Sequence, residues 1–152
     1  MARYPLPQET LNDEIAAKAR TITELCELLH EHNVRAGWWF PPEVDVALDG
    51  AVYRYPLTRD QWLKLRAPIA IGLIHSEISE ALEGLRKNLP DDHLPHRKSV
   101  EVELADALIR IFDLAGALGL DLSSALVEKH GYNCVRQDHK PEARAEMHGK
   151  KF

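Results

Sequence analysis

The chain has 152 residues, 45% of them hydrophobic, which fits one domain around a single core rather than several domains. A formal net charge of −5 argues against a sequence-independent polynucleotide binder, which neutralises many phosphates with lysine and arginine. It leaves room for a small anionic substrate bridged by cations that the protein's own carboxylates hold. No apolar run reaches the ~18 residues of a membrane span, and the start, Met1-Ala-Arg-Tyr-Pro-Leu-Pro7, lacks the apolar segment of a secretory signal. A cytoplasmic protein without a membrane partner is therefore expected. Cys26 and Cys134 lie far apart without CxxC spacing, so they are expected to be reduced, packed thiols.

In chain order, Leu11, Ile15, Ala19, Ile22, Leu25, Leu28 and Leu29 recur at helical spacing and predict a first helix over about 10–32. Residues 33–58 break the pattern with Gly37, Pro41, Pro42, Gly50 and Pro56. The aromatics Trp38, Trp39, Phe40, Tyr53 and Tyr55 cluster in the same stretch, which predicts a long functional or wrapping loop, with a short hairpin between Val44 and Tyr55. Helix resumes near Asp60, with a kink or restart at Pro68, and continues to Lys87 through Ile71, Ile74, Ile78, Ala81 and Leu85. Two prolines and paired aspartates make residues 88–96 a loop. Ser99 suits the N-cap of a third helix ending at Gly119, and Asp121 suits the cap of a fourth, running to about Gln137. The core thus spans about 10–137, followed by a charged tail, 138–152, in which Lys150 and Lys151 form a solvated end or an arm to a neighbour's phosphates. The expected fold is an all-α, four-helix bundle with a long aromatic loop between its first two helices.

Chemistry concentrates on the second and third helices. Glu77 and Glu80 stand three residues apart, as do Glu103 and Asp106, so each pair shares a helix face. An antiparallel packing of the two helices brings the pairs together. Around the third helix, apolar residues cover most of the circumference and leave Glu103, Asp106, Arg110 and Asp113 as a narrow polar stripe. A helix apolar over so wide an arc is expected to be largely buried, and carboxylates beside such surfaces need a compensating charge. Hard oxygen ligands of this kind select Mg²⁺ or Mn²⁺, whose remaining positions water and phosphate oxygens fill. The chemistry they suggest is metal-assisted attack of water on a phosphoanhydride. The plainer reading is a salt-bridge ladder, with Arg110 paired to Asp106 or Asp113 one turn away.

These residues resemble the MazG-like superfamily of all-α nucleoside triphosphate pyrophosphohydrolases, whose signature is EExxE followed by ExxD on the next helix. Here the motifs read Ser76-Glu77-Ile-Ser-Glu80 and Glu103-Leu-Ala-Asp106, and Lys129-His-Gly-Tyr-Asn133-Cys-Val-Arg136 on the fourth helix is similar to the family's Lys and Asn one turn apart. The resemblance implies hydrolysis of a nucleoside triphosphate to the monophosphate and pyrophosphate. It gives Glu77, Glu80, Glu103 and Asp106 the metal, makes Glu77 and Glu80 catalytic, and assigns Lys129, Asn133 and Arg136 to phosphate or sugar. It also implies a homodimer or homotetramer, which would cover apolar surface that a lone bundle leaves open. One departure stands out: Ser76 occupies the position of the first signature glutamate. Gly37-Trp-Trp, the Asp-Asp-His-Leu-Pro-His loop and the Glu101–Leu108 segment are further similar to phage-encoded MazG-like proteins. Some of these convert dGTP to dGMP to supply 2-aminoadenine synthesis for a modified genome. The resemblance therefore favours dGTP or GTP, in a host cytoplasm if phage-encoded, with dCTP or dUTP as the enzymatic alternative.

Trp38 and Trp39 either stack on a base or plug a subunit contact. His93 and His96, spaced HxxH, fall in a proline-marked loop that does not suit a rigid zinc site, and His75 is expected to pack near the carboxylates. A different class, a non-catalytic helical oligomerisation or regulatory module, reads the same acidic pairs as partners for arginines across subunits. A carboxylate-bridged iron protein needs Glu-x-x-His on two helices, and only Glu27-Leu-Leu-His30 occurs.

Overall fold

A computed structural model gives the structure of residues 8–48, 50–136 and 141–145. In chain order it contains α1 (Gln8–Arg35), β1 (Glu43–Leu48), β2 (Ala51–Pro56), α2 (Arg59–Lys87), α3 (Ser99–Leu118), α4 (Leu122–Val135) and α5 (Pro141–Ala145). The chain is mostly helical, as the periodicities require. Most of the charged tail, Lys150 and Lys151 included, lies outside the described residues; the part within them forms the short α5 rather than an irregular arm. No helix among the described residues is long and apolar enough to cross a membrane. The chain divides into two compact units, one running from Leu25 to Leu120, the other combining the chain up to Glu24 with the chain from Asp121.

The 25–120 unit holds the second half of α1, the hairpin, α2 and α3. Its hairpin is antiparallel, with Leu48 opposite Ala51 and Glu43 opposite Pro56, and Gly50 takes a φ of 78° at the turn, where a side chain would be strained. α2 starts on a capping box: Gln61 N–H donates to the Thr58 hydroxyl at 3.3 Å, and Thr58 N–H donates to the Gln61 side-chain oxygen at 2.9 Å. It then runs through Pro68 as one helix, which corrects the expected restart there. The proline removes one backbone hydrogen bond, and its exposed ring leaves the face toward α3 intact. α2 ends at Asn88, left-handed at φ 51°, with Leu89 N–H reaching back to Gly84 O at 3.1 Å.

Ser99 is not the N-cap of α3; Lys98 is, without a side-chain cap bond. Ser99 instead donates its backbone N–H to Leu89 O at 3.0 Å beside the Pro90–Lys98 bridge, so the chain's return from the loop takes the position that a capping geometry needs. α2 and α3 run antiparallel: Gly84 faces Ser99 and Val100, and Glu77 reaches Arg110. Two glycines permit close approaches. A Cβ on Gly84 would lie 2.8 Å from Ser99 Cβ, and one on Gly116 would lie 2.6 Å from the Cys26 carbonyl oxygen of α1. Cys26, Ala70, Ala81, Ala107, Leu114, Ala115 and Ala117 are the buried apolar residues of this unit. The expectation that α3 is largely buried fails within one chain. Leu104 and Leu108 remain 47% and 51% exposed, because α2 and the second half of α1 cover only part of its circumference.

In the other unit, Asp121 caps α4 by accepting from Ser124 N–H at 3.0 Å, a bond that holds its carboxyl below the usual range. The Ser123 hydroxyl donates to Ala19 O at 2.8 Å, tying α4 to the first half of α1. Both cysteines are free thiols, and burial pushes the Cys26 thiol up.

Candidate functional site

The i, i+3 spacing places Glu77 and Glu80 on the face of α2 that meets Glu103 of α3, and their carboxylate oxygens all lie within 4.8 Å of one another. Glu77 is 7% exposed, Glu103 half-buried and Glu80 open to solvent. Asp106, the fourth expected ligand, falls outside this tight group, but its charge acts on Glu103 from one turn further along α3.

One cation answers the cluster directly: Arg110 Nε donates to Glu77 Oε1 at 2.7 Å. Arg110 therefore pairs across the helices, not with Asp106 or Asp113 along its own. Ser76, where the signature has glutamate, donates its hydroxyl to Glu80 Oε1 at 3.1 Å and so orients that carboxylate instead of adding to its charge. One guanidinium against four carboxylates leaves an excess of negative charge. Its consequence is visible at Glu103, whose carboxyl is raised above its ordinary value of 4.5 by burial first, then by its hydrogen bond to Glu77 and the charges of Glu80, Glu77 and Asp106.

That shift has a sign that can be measured. A carboxyl with a raised folded-state pKa adds stability fully below the unfolded value and loses it as pH rises through the folded value. In a chelator, wild-type protein should therefore lose stability relative to Glu103→Gln as pH rises from about 4.5, the unperturbed value, toward neutrality. Thermal melts across that window read the difference, and a pH-independent gap would show that the carboxylates do not repel one another. The donor set fits a hard divalent cation: opposite ligands of Mg²⁺ stand roughly 4 Å apart, twice its 2.0–2.1 Å bond, so small side-chain adjustments close these oxygens onto one ion.

A cavity of about 480 Å³ adjoins the cluster, lined by Trp38, Arg66, Leu73, Asp106, Arg110 and Asp113 among others. The two tryptophans have separate fates. Trp38 is 63% exposed at this cavity and free to meet a ligand. Trp39 is built into a wall: its Nε1–H donates to Asp113 Oδ1 at 2.8 Å, its ring stands edge-on to His30 at 5.3 Å, and the Arg66 guanidinium lies 5.8 Å from its centroid. Arg66 and Asp113 escaped the sequence reading as site residues. Asp113 was visible only as a member of the polar stripe, and Arg66 carried no motif at all, since it reaches the cavity through the α2–α3 packing.

Lys129, Asn133 and Arg136 belong to the other unit, on and just after α4. There Lys129 Nζ and the Arg136 guanidinium lie 4.7 and 5.7 Å from the Tyr132 ring centroid, and Asn133 Oδ1 is buried without a hydrogen bond. His75 is exposed rather than packed. His93 belongs to a turn in which buried Asp91 accepts backbone N–H groups from His93 and Leu94, and neither His93 nor His96 joins a metal-binding group among the described residues. His30, from the lone Glu-x-x-His, bonds Asp113 Oδ1 at 2.9 Å. No protein-family model, curated protein or solved structure matches the chain.

Proposed function

We propose that the chain hydrolyses a nucleoside triphosphate to the monophosphate and pyrophosphate with Mg²⁺ or Mn²⁺, as the MazG-like resemblance implies. The observation that carries this reading is the convergence of Glu77, Glu80 and Glu103 from two antiparallel helices beside a cavity lined by Arg66, Arg110 and an exposed tryptophan. Acidic ligands for a cation, positive groups for phosphate and a ring for a base are the three parts that such a substrate needs. A divalent ion held by the carboxylates supplies charge neutralisation to the phosphates and acidity to the attacking water.

The protein's own groups divide the remaining work. Glu77, buried and accepting from Arg110, points its carboxylate into the cluster and suits ligation. Glu80, exposed, with Oε1 bonded to Ser76, keeps Oε2 for the proton that water gives up. Water oxygen bonds to the α-phosphorus and stays in the monophosphate, the bond from the α-phosphorus to the α–β bridging oxygen breaks, and pyrophosphate leaves with the bridging oxygen. Arg66 and Arg110 face the phosphate charge from the cavity. The exposed Leu104 and Leu108 of α3 suit the homodimer or homotetramer that the resemblance implies.

Incubating the protein with each ribo- and deoxyribonucleoside triphosphate and Mg²⁺ or Mn²⁺, then resolving the products, tests the reading. Monophosphate and pyrophosphate in equal amounts are expected, and no monophosphate from any substrate would overturn it. The Arg110–Glu77 ion pair is the observation that favours the second reading, a non-catalytic oligomerisation module, and the same panel separates the two. Trp38→Ala should raise the apparent KM roughly tenfold while kcat stays within about twofold, the loss of one base–aromatic stack. An unchanged KM returns Trp38 to a packing role.

A further inference from the structure

We infer that a second cavity, apart from the carboxylate cluster, binds a small aromatic carboxylate. This cavity measures about 250 Å³ and is walled by Trp39, Phe40, Arg59 and Trp62 among others. It is not an extension of the cation site. Leu63 and Glu77 stand fourteen residues apart on α2, as Ala117 and Glu103 do on α3, so both helices put the cavity about 21 Å along their axes from the cluster. A nucleotide whose phosphates meet a cation on the cluster does not span that distance, so a different molecule fills this space.

Two groups define what that molecule carries. Trp62 Nε1–H is buried and has no hydrogen-bond partner among the described residues. An indole N–H can only donate, and a donor shut away from water without an acceptor is costly, so the missing group is an acceptor. Trp62 lines the cavity, and a small turn of its ring brings the N–H to a ligand oxygen. Arg59 lies three residues before Trp62 on α2, so the two share a helix face. Its guanidinium also lines the cavity and forms no ion pair among the described residues. A cation and an unbonded N–H side by side match the two oxygens of a carboxylate. Trp39 Nε1–H is already given to Asp113, which leaves Trp62 as the indole donor on this cavity.

The other walls choose the ring. Trp39, Phe40 and Trp62 offer aromatic faces, with Val34 and Leu63 as aliphatic neighbours. Pockets for drug-sized ligands run from about 300 to 1,000 Å³, so the smaller volume here suits one ring or two fused rings.

The test titrates the full chain with benzoate, benzyl alcohol and acetate, of which the second lacks the charge and the third the ring. Leaving out divalent cations keeps benzoate away from the carboxylate cluster. Calorimetry reads affinity, and the indole N–H signals in ¹H–¹⁵N spectra read contact, with Trp62→Phe identifying the Trp62 signal by its loss. Benzoate is expected to bind with a Kd of about 1 mM or tighter and to move the Trp62 signal. Benzyl alcohol should bind roughly tenfold more weakly, and acetate more weakly still. Arg59→Gln should bring benzoate down to the level of benzyl alcohol while leaving benzyl alcohol within about twofold. A Trp62 signal that stays still under saturating benzoate overturns the inference. So does equal affinity for benzoate and benzyl alcohol, benzoate binding that Arg59→Gln leaves intact, or no saturation by benzoate at all. Should Trp62→Phe fail to fold, Arg59→Gln decides, because Arg59 is exposed and its replacement leaves the packing alone. Turnover of a triphosphate without benzoate binding would sink this site and leave the hydrolase reading standing.

Discussion

Glu80→Gln is expected to lower turnover by roughly 10³-fold or more while the protein keeps its fold, because the substitution removes a proton acceptor and ligand charge at constant volume. Melting should hold or rise in the absence of divalent cation, since one of the repelling carboxylates has gone. Rate and melting temperature, measured on the same preparation, check the two halves of this expectation, and near wild-type turnover would remove Glu80 from the site. Asp106→Asn is expected to abolish turnover as well. A variant there that keeps its rate while Glu80→Gln loses it would confine the ligand set to the three carboxylates that already lie within 4.8 Å. Glu77 is a poorer probe. Neutralising it also strands Arg110, whose Nε bonds its buried oxygen, so lost stability and lost chemistry would arrive together.

The largest effect on stability is expected at Gly116. An alanine Cβ there would lie 2.6 Å from the Cys26 carbonyl oxygen and 2.6 Å from His30 Cβ. A backbone oxygen cannot rotate away, so α1 must move off α3, at a cost of about 1–3 kcal/mol or more for overpacking. For a chain of this length that lowers the melting temperature by roughly 5–10 °C. His30 would shift with α1, loosening its bond to Asp113. Gly72 provides the contrast. Its Cβ would meet nothing within 4 Å, and Gly72→Ala in mid-helix should stabilise by about 0.5–1 kcal/mol. Calorimetry or thermal melts of the two variants should move in opposite directions. The same sign in both would mean that helix propensity, rather than the α1–α3 approach, governs Gly116.

Local chemistry was legible where it repeats within a few residues. Thr58 and Gln61 form a capping box that no periodicity argument located, yet the expected helix onset near Asp60 lies within two residues of it. Gly119 and Asp121 end and start helices as their types require, since a left-handed φ and a side-chain acceptor are properties of single residues. The restart expected at Pro68 and the cap expected at Ser99 failed for one reason: each residue has a strong local preference that its surroundings override. Pro68 stays inside α2, and Ser99 N–H is taken by Leu89 O.

From the sequence alone came the helices, the hairpin's place, and the facts that Glu77 with Glu80 and Glu103 with Asp106 share faces, because a helical turn relates residues three and four apart. Tertiary structure alone decided that Arg110 meets Glu77, that Trp39 becomes wall while Trp38 stays open, and that Asp113 bonds His30. Those partners are 33, 74 and 83 residues apart, and pairings over such separations depend on how helices pack, which no short-range spacing encodes.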